Sequence, residues 1–69
     1  MSKLEKDKIN FIAYCAEIYK ESKGLSGKQV SELFDKYKIW AFIYDCYGAL
    51  HCTGSAYTIG EIDAFIAAA

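Results

Sequence analysis

The sequence predicts an all-α protein: a small bundle of four short helices forming a single domain over residues 1–69, either alone or as a dimer. Three observations lead there. No proline interrupts the chain. Its apolar residues recur at three- and four-residue intervals rather than alternating. Serine or threonine, followed three residues later by glutamine or glutamate, marks two helix starts. A chain of this size withdraws only about 60% of its unfolded surface from water, so its core is thin and a partner surface would enlarge it.

The first helix is expected from about Leu4 to Lys23, with Phe11, Cys15 and Ile18 on one stripe and Ile12 and Tyr19 widening it. Gly24 ends it, because glycine enters the left-handed conformation without a Cβ penalty, and Leu25 can then fold back over the last turn. Ser26 is the N-cap of the second helix and shares a capping box with Gln29, while Leu25 and Val30 form its hydrophobic staple. Val30, Leu33, Phe34 and Tyr37 follow at i, i+3, i+4 and i+7 and make one apolar face.

A third helix is expected to start at Ile39 or Trp40 and run to about Leu50, its last turns weakened by Gly48 at a cost of roughly 1 kcal/mol relative to alanine. Trp40, Ile43, Tyr44 and Tyr47 lie on one stripe and Phe42, Cys46 and Leu50 on the next. Only Asp45 interrupts it with charge, which fits a helix surrounded by others or covered by another molecule. Residues 51–56 read as a loop. Thr58 and Glu61 then form a second capping box, stapled by Tyr57 and Ile62, and open a fourth helix whose buried face is Ile59, Ile62, Phe65 and Ile66.

The net charge of −1 conceals an asymmetry. All eight lysines lie between Lys3 and Lys38, and residues 39–69 carry only Asp45, Glu61 and Asp63. The second half is the adhesive half. A concentrated basic face and arginine are both lacking, which disfavours a helix-turn-helix nucleic-acid binder. No apolar run approaches the ~20 residues needed to span a bilayer, so no membrane role is expected. An odd number of cysteines and a first segment without signal-peptide character make a reducing cytoplasm the expected location.

His51, with Cys46 and Cys52 nearby, invites a metal or nucleophile reading. Paired ligand spacings for a zinc site are missing, and Cys46 and His51 would project about 140° apart on a continuous helix. No catalytic, metal or cofactor-binding residue is therefore assigned, and no small-molecule ligand is evident. His51 reads instead as a helix-end residue bonding backbone carbonyls. Asp45 and Asp63 stand among apolar neighbours. The plain reading is that each faces water; the alternative is that one accepts a hydrogen bond from a tyrosine or from His51, fixing how the third and fourth helices meet. The aromatic content of 16% exceeds what so small a core needs. Trp40, Ile43, Tyr44, Tyr47, Tyr57 and Phe65 are the candidate interface, since Tyr and Trp join large contact area to a polar tip.

Several segments together carry a family resemblance: Asp7-Lys8-Ile9-Asn10-Phe11, Leu25-Ser26-Gly27-Lys28-Gln29-Val30, Glu32-Leu33-Phe34, Tyr44-Asp45-Cys46-Tyr47, Leu50-His51, Gly54, Tyr57 and Glu61-Ile62-Asp63. In these the chain resembles the bacterial proteins of DUF3791, a family of unknown function. The resemblance implies a small stand-alone helical protein, often encoded beside proteins that look like ADP-ribosyltransferases. It therefore implies a regulatory or antitoxin-like role. The expected function is a non-enzymatic protein-interaction module whose partner is a neighbouring-gene product, with a structural homodimer as the alternative.

Overall fold

A computed structural model describes residues 2–69. Among them are five helices and no strand: α1 Lys3–Lys23, α2 Gly27–Lys36, α3 Ile39–Asp45, α4 Tyr47–Leu50 and α5 Ser55–Ala67. The all-helical class follows the apolar spacing, and four of the five helices are at least seven residues long.

Helix α1 begins at Ser2, whose hydroxyl accepts from the Glu5 backbone N–H at 3.1 Å. At 1.5 Å per residue its 21 residues reach about 31 Å, which matches the longest dimension of the molecule, 31 Å. It is the spine on which the other helices lie. Gly24 closes it in the left-handed conformation (φ 66°), and the Leu25 N–H bonds back to the Lys20 carbonyl at 3.0 Å. That six-to-one closure places Leu25 against the core, as the sequence predicts.

Helix α2 starts with both halves of its capping box formed. Gln29 N–H donates to Ser26 Oγ at 3.1 Å, and Ser26 N–H donates to Gln29 Oε1 at 2.8 Å. Its inward residues Val30 and Phe34 are buried. Between α2 and α3 the chain turns through Lys38, which adopts the left-handed conformation (φ 56°), a state that costs a side-chain-bearing residue of order 1 kcal/mol. Flanking contacts offset that cost: Ile39 is fully buried, and Trp40 Nε1–H donates to Asp35 Oδ1 at 2.7 Å across the corner.

The expected continuous third helix is divided at Cys46, which sits at φ −99°, ψ 14°. Cys46 N–H still bonds the Phe42 carbonyl, but the next amides to bond are those of Ala49 and Leu50, both to the Cys46 carbonyl. The residues after Asp45 therefore form a separate turn, α4. This swings Leu50 into the interior at 3% exposure. The last helix also begins earlier than its supposed cap. Gly54 is the N-cap, without a side-chain hydrogen bond, and Thr58 lies within the first turn with its N–H on the Gly54 carbonyl. Thr58 is 1% exposed. Burial on the core-facing side of α5, not a hydroxyl cap, fixes that position.

Cys15, Tyr19, Val30, Phe34, Ile39, Ile43 and Ile62 make the core, a contribution from every helix but α4. Phe34 is its centre, with the rings of Tyr19 and Trp40 5.6 and 4.9 Å away. The accessible surface of 4378 Å², set against about 11,000 Å² for an unfolded chain of this mass, corresponds to the roughly 60% burial expected from length. Burial also pushes the Cys15 thiol up to about 11.

Candidate interaction surface

Two groups of side chains emerge from this packing: a polar clasp and an aromatic face. The clasp is centred on Asp63. Its Oδ1 accepts the Tyr19 hydroxyl at 2.7 Å, and its Oδ2 accepts Lys23 Nζ at 2.8 Å. Tyr19 and Lys23 stand one turn apart on α1 and reach the same residue of α5. The Lys23 ammonium and the Tyr19 hydroxyl hold the Asp63 carboxyl below its ordinary range. Burial, reinforced by Asp63, pushes the Tyr19 phenol up to about 12. Of the two readings of Asp63, facing water and accepting from a tyrosine, the structure shows the second, but the helices it joins are the first and the last, not the third and the last. Asp45, the other candidate, is exposed.

The aromatic face forms where the first half of α1 meets α3 and α4. Phe11 packs edge-on against Tyr47 at 5.5 Å and lies 6.0 Å from Tyr14. Lys8 Nζ stands 4.5 Å from the centroid of the Tyr44 ring, a cation–π distance that keeps its alkyl stem against the face. His51 extends the surface by stacking on Tyr47 at 4.3 Å with the planes 6° apart. At the outer end Leu4 is 56% exposed, and Tyr14 and Tyr44 are 48% and 37% exposed.

The six residues expected at an interface do not share one surface role. Tyr44 and Tyr47 belong to this face. Tyr57 is exposed near the start of α5, outside the aromatic contacts of the described residues. Trp40 is half-buried against Phe34, and Phe65 is half-buried and stacked on Phe42 at 4.3 Å. Ile43 requires correction: it is fully buried and belongs to the core, because the turn of α3 that presents Tyr44 outward points its neighbour inward. Leu4, Lys8 and Tyr14 were missed. Leu4 and Phe11 are seven residues apart and so share a line along α1, a signal available in the sequence.

His51, the C-cap of α4, has Nδ1 2.7 Å from the carbonyl oxygen of Tyr47, the first residue of that helix, so Nδ1–H donates to it. The Cys52 sulfur is 3.5 Å from Nε2 and 3.8 Å from Nδ1. Near-equal distances to both ring nitrogens place the sulfur over the ring, off the in-plane lone pair along which a thiol proton would pass. Cys15, Cys46 and Cys52 are all free thiols. The described residues contain no pocket, no group of three or more metal-ligating side chains, and no helix long and apolar enough to cross a membrane.

What the fold and surface define is a small all-helical domain with an aromatic face and a clasped C-terminal helix. The chain belongs to the DUF3791 family, described as a protein of unknown function, and the match covers residues 10–69. Comparison with curated proteins and with solved structures gives no match.

Proposed function

We propose that this protein is a non-enzymatic interaction module that docks the face formed by Leu4, Lys8, Tyr14, Tyr44 and Tyr47 against a separate protein chain. The observation that carries the reading is the exposure of Tyr14 and Tyr44 around the half-buried Phe11 and Tyr47, with Leu4 exposed further along α1. Large apolar side chains left exposed together often mark a binding site on a monomer. Tyrosines suit such a face because their hydroxyls stay hydrated when it is free and their rings are dried when it is covered. The partner that the family resemblance implies is an ADP-ribosyltransferase-like protein, and the action on it is steric: the module covers the cleft that the partner's substrate must enter.

The test compares the tagged chain with its Tyr44→Asp variant in pull-downs from source cells, with Lys28→Ala, an exposed position on α2 outside the face, as a control. The expected outcome is one stoichiometric protein retained by the parent and by Lys28→Ala, and depleted at least tenfold by Tyr44→Asp. Losing the Tyr44 ring and desolvating a carboxylate on the face, even one beside Lys8, costs more than the 1.4 kcal/mol that a tenfold change represents. An excess of untagged module should then suppress the recovered protein's activity. Equal recovery by Tyr44→Asp would sink the assignment of this face. Recovery of the chain only with itself would replace the separate partner by a homodimer.

A further inference from the structure

We draw no further inference here: the strongest candidate, the exposed Cys52–His51 pair in the loop between α4 and α5, carries nothing because the sulfur lies over the imidazole ring, 3.5 and 3.8 Å from its two nitrogens, leaving a lone cysteine with no second observation that points to a ligand.

Discussion

The two halves of this chain are held in shape by different physics. Helices α1 and α2 are specified locally: each opens on a serine whose hydroxyl caps the first turn, and α1 closes on a left-handed glycine. None of α3, α4 and α5 has a side-chain hydrogen bond from its N-cap. Their positions follow from what they bury, namely Ile39, Ile43, Leu50, Thr58 and Ile62. Local hydrogen bonds can be written into a short sequence window, whereas burial depends on where the rest of the molecule lies. The capped half supplies the spine, and the uncapped half supplies most of the apolar surface that packs on it.

The largest expected effect tests whether burial alone holds the second half in place. Phe34→Ala removes the ring on which Tyr19 and Trp40 pack and should cost roughly 3–5 kcal/mol, a large part of the ~3–10 kcal/mol expected for a domain of this length. Urea denaturation should show the variant largely unfolded or with a sharply lowered midpoint. Tyr14→Ala, at a half-exposed position on the aromatic face, should change stability by less than about 1 kcal/mol. Comparable losses in the two variants would break the division between the core and the exposed aromatic face.

A middle-sized effect belongs to the capped half. Ser26→Ala removes the oxygen that accepts the Gln29 amide and should cost about 1 kcal/mol, measurable as a shifted urea midpoint with unchanged slope.

The clasp joins the two halves and is expected to contribute less than about 1 kcal/mol, because Lys23 and Asp63 are 38% and 41% exposed and solvent screens the pair. Its contribution has a defined pH dependence. The Asp63 carboxyl titrates lower in the folded chain than in the unfolded one. The stabilisation is therefore complete above the unfolded carboxylate value of about 3.9 and disappears as pH falls through the lowered folded value. Between about pH 5 and pH 2, Asp63→Asn should lose less stability than the parent. An identical acid limb in the two proteins would show that the ion pair does not bind the halves together.

The smallest effect sharpens the comparison of caps. Gly54 has the extended backbone of an N-cap (φ −74°, ψ 164°), and open space surrounds the position a Cβ would take. Gly54→Ser should supply the missing cap and raise stability by a few tenths of a kcal/mol. Thermal unfolding checks it, and a decrease would mean that α5 needs the freedom of glycine there.

The same division explains what could be read from the sequence. The end of α1 and the start of α2 were legible because Gly24, Ser26 and Gln29 act within a few residues of themselves. The break at Cys46 was not, since the apolar stripes continue across it and Gly48 alone is a weak signal. Thr58 and Glu61 imitate a capping box so well that the N-cap of α5 was placed four residues late; the burial of Thr58 distinguishes the two positions. For Asp63 the chemistry was foreseen and the partners were not, because the acceptor group is evident in the sequence while the distance from α1 is set by the tertiary fold. On the aromatic face, Tyr44 and Tyr47 stood out in an apolar helix, whereas Leu4 and Tyr14 were hidden among the charges of α1.

The clasp also sets an order of events. Its two bonds connect residues 44 and 40 positions apart, while the caps of α1 and α2 close over three residues. During synthesis from the N-terminus, the spine and α2 can form their local bonds before Asp63 has been translated. Until it arrives, Tyr19 and Lys23 must be hydrated and the α1 flank that receives α5 stands open. The nascent chain is therefore most vulnerable to wrong association on the flank that the finished protein covers last.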